Sequence, residues 1–329
     1  MEKEYDSCRL CPQNCGTNRN AGGTGLCGET SEVRVSWAGL HFGEEPPVTG
    51  KGGSGAVFIT GCNLRCQFCQ NWQISRQGMG RTVTVEEFSL ICISLQNAGA
   101  ENINIVTGSH AIPGIASGLR QAVKDGLVIP VLWNSSAYEK PASLALLDGL
   151  VSVWLPDLKT LNPLLSKSIF GVSDYPATAK SAIRFMAASS PLRVATPEDK
   201  DYPSGKIFSG VIMRHLALPG KIADTELVLR WFAKHLGDKA ILSLMTQYTP
   251  IPLSPYSSKL DAFPDRPLAR MEYDEIHRLL EELEIETGFY QELAAGSDWL
   301  PDFKNIQPFS SKLASPVWHF SCGFFHSIQ

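Results

Sequence analysis

Six short runs of β-branched and apolar residues alternate with segments of helical period, and no other feature of this 329-residue chain limits its fold as sharply. The runs are Ala56 to Thr60, Ile103 to Thr107, Ile129 to Asn134, Val151 to Pro156, Gly210 to His215 and Ile241 to Thr246. They are nearly continuously apolar, as strands buried on both faces of a parallel sheet are. Between them, Thr84 and Glu87 predict a capping box for a helix whose apolar face carries Phe88, Ile91, Cys92 and Leu95. Ala179, Ile183 and Met186 repeat that spacing after Tyr175-Pro176, Asp224 is placed to cap a helix through Leu227, Val228 and Trp231, and a last helix is expected from Met271 to Thr287. Six such units predict an incomplete, TIM-like (β/α)6 barrel open at one side.

Polar residues gather where each run ends: Cys62, His110, Asn134 and Ser135, Asp157 and Lys159, Arg214 and His215, Gln247 and Tyr248. In a barrel of parallel strands every βα loop opens onto that face, so that is where a site is built. Lone histidines such as His110 and His215 are expected as hydrogen-bonding core groups rather than ligands, and Tyr248 as a buried ring with a bonded hydroxyl. Asp157, Lys159 and Arg214 suit either contact with a cofactor or ion pairs sealing the rim.

Cysteine usage narrows the chemistry. Of nine cysteines, seven fall in two tight groups, a pattern that ligation explains better than disulfides. Cys62, Cys66 and Cys69 lie within eight residues directly after the first strand, and a loop of that spacing covers three corners of a cubane cluster while leaving its fourth iron open. Three thiols alone leave zinc open as well. Cys8, Cys11, Cys15 and Cys27, with Pro12 and the glycines at 16, 22, 23 and 25, make a closed four-thiol knuckle suited to structural zinc or to an auxiliary iron-sulfur cluster. Cys92 reads as core packing.

The Cys-x3-Cys-x2-Cys loop, with Phe68 before its last cysteine, resembles the signature of the radical S-adenosylmethionine (SAM) superfamily. Further stretches narrow the likeness: Asp157-Leu158-Lys159, Arg214 through Gly220 and Asn134-Ser135 resemble glycyl-radical-enzyme activases, notably pyruvate formate-lyase activating enzyme. Cys-Arg-Leu-Cys-Pro at 8–12, His-Phe-x-Glu-Glu-Pro at 41–46, Asn-Ile-Asn-x-Val-Thr at 102–107 and Ser-Leu-Met-x-Gln-Tyr-Thr-Pro at 243–250 resemble an uncharacterised activase-like branch. The resemblance implies a [4Fe-4S] cluster on Cys62, Cys66 and Cys69, and SAM contacts from Gly108, Asn134, Asp157, Lys159 and Arg214. It implies an oxidoreductase that cleaves SAM to a 5'-deoxyadenosyl radical, a reductant such as flavodoxin or ferredoxin, and a glycyl radical enzyme or other protein as substrate. Two departures stand out: Thr107-Gly108-Ser109-His110 replaces the Gly-Gly-Glu of activases, and the simplest activases lack the N-terminal cysteines. Radical modification of a small molecule or peptide, and a non-catalytic iron-sulfur electron carrier, are the rival readings.

The expected organisation is a cysteine-rich module and linker at 1–50, with the Gly/Pro-rich stretch Glu44 to Gly55 as the linker, the barrel at 51–250, and a helical and strand extension at 251–329. Net charge of -4 and the absence of a Lys/Arg-dense run argue against nucleic acid and anionic membranes as partners. Met1 to Tyr5 lack the apolar core of a signal peptide, and no apolar stretch reaches bilayer length, so a cytoplasmic chain is expected.

Overall fold

The computed structural model describes residues 3–199, 205–251, 254–255, 261–293 and 297–325, so Met1 and Glu2 of the charged start lie outside the described residues. The described strands are β1 (Arg34–His41), β2 (Ser54–Ile59), β3 (Arg81–Thr82), β4 (Ile103–Val106), β5 (Val131–Ser135), β6 (Val153–Pro156), β7 (Arg193–Val194), β8 (Ile207–Leu216), β9 (Ala240–Met245), β10 (Gly288–Tyr290), β11 (Ala314–His319) and β12 (Gly323–Phe324). The main sheet runs β10-β9-β8-β6-β5-β4-β2-β1-β11-β12, and its two ends do not pair, which makes a partial TIM-like barrel with the cysteine-rich segment in front of it. From β2 to β10 all neighbours are parallel, and the six expected strands are its centre.

Successive residues of these strands go to opposite faces and therefore into different cores. Val131, Trp133, Trp154, Val211, Met213 and Leu242 pack outward against the crossover helices. Leu132, Val153, Leu155, Ile212 and Ile241 pack inward, together with Val48. Val48 comes from the stretch expected to be a linker. Instead, residues 46–49 form a helical turn whose Val48 is fully buried in the barrel interior, a burial that contributes about 1.5–3 kcal/mol. The prolines that suggested a loop sit in the first turn of that helix, where a missing N–H costs nothing. On the other side of the interior, Phe303 and Phe309 of the C-terminal segment close over Trp37, Phe58 and Val106.

The helix Val85–Asn97 starts as expected, with Thr84 Oγ1 accepting the Glu87 N–H at 3.1 Å. Glu87 does not complete the box; its carboxylate pairs with Arg81, a charged and therefore stronger partner than a backbone amide, and also accepts from Trp318 Nε1 at 3.2 Å. Ala179, Ile183 and Met186 are buried on the helix Tyr175–Ser189, and Cys92 is core. Asp224 lies inside the helix Ile222–Leu236 rather than capping it, and accepts from Leu161 N at 3.2 Å. The last helix ends at Glu282, not Thr287. Glu284 turns left-handed at φ 52°, and the chain then adds β10 as a seventh parallel strand beside β9. No described helix is long and apolar enough to cross a membrane.

Candidate active site

At the end of β2, Gly61 adopts φ +85°, and a Cβ there would meet Glu29 Cγ at 2.4 Å, the Cys27 carbonyl at 2.9 Å and His110 Nε2 at 3.0 Å. Only glycine allows both that backbone and that proximity. The three-cysteine loop that follows is held on every side. Cys62 N–H donates to the Cys27 carbonyl at 3.4 Å, Gln13 Nε2 to the Asn63 carbonyl at 2.8 Å, and Asn63 Nδ2 to the Tyr138 carbonyl at 2.7 Å. Arg76 donates to the Cys66 carbonyl at 2.7 Å, and Gln67 N to the Ile169 carbonyl at 3.2 Å. Phe68 meets Tyr248 and Phe263 edge-on, with centroids 6.1 and 5.7 Å apart.

Burial, with the neighbouring Cys66 and Cys69, raises the pKa of Cys62. Cys66 is pushed up to about 12 by burial, which Lys159 and Arg76 oppose. Three half-buried thiols thus lie on one loop, with Lys159 and Arg76 acting on Cys66, a donor set that fits a cationic metal group able to take the thiolates' charge. Among the described residues no three His, Cys, Asp or Glu side chains are grouped as the ligands of one metal ion.

Asp157 and Lys159, at the end of β6, form an ion pair at 2.6 Å. Burial works against the Lys159 ammonium, but Asp157 and then Cys66 outweigh it and hold its pKa above the ordinary value. Tyr175 organises this corner: its hydroxyl accepts the Lys159 N–H at 2.9 Å and lies 2.7 Å from the Asp157 carbonyl and 3.0 Å from that of Ser136. Sequence reasoning used Tyr175 only as a helix start. Glu139 was missed as well. Fully buried, it accepts from Ser109 Oγ at 2.7 Å, Trp133 Nε1 at 2.7 Å and Ser135 Oγ at 2.8 Å, tying the loops after β4 and β5 together; burial raises its pKa against those donors.

The other residues singled out from sequence are placed as follows. Asn134 lies in β5 between Val106 of β4 and Leu155 of β6, its carbonyl accepting from Thr107 N at 2.9 Å. Gly108 lets the chain pass over Trp133, whose ring a Cβ would meet at 2.5 Å. Arg214 is buried and clamped by two carboxylates of the N-terminal segment, Glu44 at 2.5 Å and Glu45, with Nε on Glu45 Oε1 at 2.8 Å. Both partners are remote from it in sequence. His215 bonds the Leu158 carbonyl at 2.7 Å and Thr225 at 3.0 Å, and His110 bonds the Thr60 carbonyl at 2.8 Å, with burial and then Arg19 lowering its pKa to about 3. Tyr248 donates to Asp265 at 2.7 Å. A surface cavity lined by Asp148, Trp154, Phe185, Ser190 and Phe208 lies at the strands' opposite end, and none of the candidate residues lines it.

The radical SAM superfamily model matches residues 56–188, from β2 through the helix Tyr175–Ser189. The chain belongs to the radical SAM superfamily. An uncharacterised protein of Methanocaldococcus jannaschii is 30% identical over 285 residues, covering 84% of this chain and 74% of that protein. Solved structures are more distant. Streptococcus suis SuiB bound to its precursor peptide SuiA gives a TM-score of 0.46 at 12% identity, over 70% of this chain and 46% of SuiB, so the chain spans about half the length of that protein. Methylornithine synthase (PylB) gives 0.48 at 15%, over 76% of this chain and 77% of that one. A domain of pyruvate-formate lyase-activating enzyme from Bacteroides vulgatus gives 0.37 at 12%, over 55% and 91%. Members of the superfamily are enzymes of radical chemistry that use a [4Fe-4S] cluster and SAM, and this chain is one of them.

Proposed function

We propose that Cys62, Cys66 and Cys69 hold the SAM-cleaving [4Fe-4S] cluster, and that the chain acts as an activase-like enzyme taking hydrogen from a glycine of a partner protein. The observation that carries the reading is the grouping of these three thiols, at Cys-x3-Cys-x2-Cys spacing, on the loop that leaves the first parallel strand, beside the Asp157–Lys159 pair. When bound, the cluster supplies one electron that splits SAM into methionine and a 5'-deoxyadenosyl radical. This chain's residues do the holding and screening. The Lys159 ammonium faces the Cys66 thiolate and offsets its charge, and Asp157 keeps Lys159 protonated. Tyr175 and Glu139 fix the three loops that close over the site, so that the radical meets its target rather than water. Asn134 and Gly108, on neighbouring strand ends, and Asp157 and Lys159 after β6 are the residues that would contact SAM, with Arg214, neutralised by Glu44 and Glu45, as a further candidate. A sheet whose two ends do not pair leaves the lateral access that a segment of a partner protein needs. A flavodoxin or ferredoxin is the fitting one-electron donor.

The test is isotopic. Reduced, reconstituted enzyme is incubated anaerobically with SAM and a candidate partner carrying α-deuterated glycine, and 5'-deoxyadenosine is examined by mass spectrometry. Deuterium in the product supports the glycine assignment. Product formed with no deuterium from any residue of the partner would overturn it.

A further inference from the structure

We infer that Cys8, Cys11, Cys15 and Cys27 hold a second iron-sulfur cluster, of the four-iron type, directly behind the radical-forming loop. Three observations converge on it. First, the fold gathers the four thiols: Cys8, Cys11 and Cys27 are buried, and Gly25 faces both Cys15 Sγ and Cys27 Sγ, which a Cβ there would meet at 2.9 and 3.5 Å. Gly16 N–H donates to the Cys8 carbonyl at 2.9 Å and Cys8 N–H to the Thr17 carbonyl at 2.9 Å, so the knuckle is closed by backbone bonds and does not depend on a disulfide, all four cysteines being free.

Second, Arg19 needs an anion. This guanidinium is 2% exposed, and it donates to the carbonyls of Glu29 at 3.1 Å, Thr30 and His110 at 2.6 Å, all neutral acceptors. Among the described residues it makes no close ion pair: the Glu29 carboxylate acts on it only at longer range and is itself paired with Arg34 at 3.2 Å. Its remaining contact is the sulfur of Cys8 at 3.8 Å, and it stacks over Tyr5 at 4.3 Å. A buried cation whose own hydrogen bonds end on neutral carbonyls is costly, and the thiolates of a cluster at Cys8 and Cys27 would supply a nearer counter-charge than Glu29 does.

Third, the four-thiol segment lies directly against the radical-forming loop, a placement in which an iron-sulfur cluster can exchange electrons with that loop, whereas zinc has no redox chemistry to offer. The two groups touch: Cys62 N–H donates to the Cys27 carbonyl, and Glu29, two residues beyond Cys27, packs on Gly61.

The site is tested apart from the radical-forming one. The Cys62→Ala/Cys66→Ala/Cys69→Ala variant is reconstituted anaerobically with ferrous iron and sulfide, and iron, sulfide and zinc are counted. About four irons per chain, against about eight in the unaltered protein, is the expected result. About one zinc per chain after isolation without added metal, or no bound metal, would overturn the inference. The reverse variant, Cys11→Ala/Cys15→Ala, guards against misfolding of the first. It should fall to about four irons, and an undiminished count would equally overturn the assignment. Because the clusters would sit on bonded segments, the reduced unaltered protein should show a spin-coupled, broadened electron paramagnetic resonance signal that becomes simple in either variant.

Discussion

Gly61 offers a substitution whose cost divides into two separable parts. Replacing it by alanine places a Cβ 2.4 Å from Glu29 Cγ and 2.9 Å from a backbone oxygen, while forcing an L residue to φ +85°. The backbone part costs roughly 1–2 kcal/mol. Overpacking against Cys27, whose carbonyl is fixed backbone, adds about 1–3 kcal/mol. Gly149 isolates the first part, since it has φ +70° and nothing within 4 Å of its would-be Cβ. Gly149→Ala should therefore lose about 1–2 kcal/mol, and Gly61→Ala about 2–5 kcal/mol. At roughly 2.1 cal/mol/K of unfolding entropy per residue, the difference between the two variants is about 1–4 °C in Tm. The assay is anaerobic thermal unfolding by circular dichroism on both variants, with iron counted after reconstitution. Gly61→Ala should also lose iron, because the clash prises the loop away from Cys27. Equal Tm losses for the two variants, with iron unchanged in Gly61→Ala, would refute the idea that the N-terminal module is docked on the cysteine loop.

Arg214→Met strands the buried Glu45 and the half-buried Glu44 carboxylates and should destabilise by about 3–5 kcal/mol; adding Glu44→Gln and Glu45→Gln should restore most of the loss, as read from urea midpoints. Burial alone would raise the Glu45 carboxyl, but Arg214 more than offsets this and holds it below its ordinary range. Its contribution is therefore complete above the usual carboxylate pKa and lost as pH falls through the depressed folded value, so stability should drop below about pH 5 more steeply in the unaltered protein than in Glu45→Gln. Tyr175→Phe removes a hydroxyl shared by three backbone groups and should cost about 1–3 kcal/mol, together with a fall in 5'-deoxyadenosine yield that Trp231→Phe, remote from the site, does not show.

The six central strands and the cysteine loop were legible because both are local signals: apolar runs for strands buried on two faces, and ligand spacing within eight residues. What was not legible depends on contacts remote in sequence. Glu44 and Glu45 read as linker residues until β8 brings Arg214 between them, about 170 positions later in the chain. Val48 gave no sign of its burial, since a four-residue helical turn has no periodicity to read. The antiparallel strand β1 escaped notice because five successive residues of it are buried and do not alternate, and its bulge at Ala38 and Gly39 breaks the period further. Glu139 was hidden for a related reason: a charged residue in a loop reads as solvated, and only the fold aims Ser109, Trp133 and Ser135 at it. A signal for Tyr175 was present in the Tyr-Pro pair at a helix start, where an aromatic before proline is well placed to face a neighbouring loop.

The most direct test of the account is the amount of 5'-deoxyadenosine formed by anaerobically reconstituted, reduced protein given SAM, measured beside the Cys66→Ala variant. Product from the unaltered chain, and none above background from the variant despite an intact fold by circular dichroism, is the predicted result. Equal product from both, or none from a reducible four-iron protein, would contradict it.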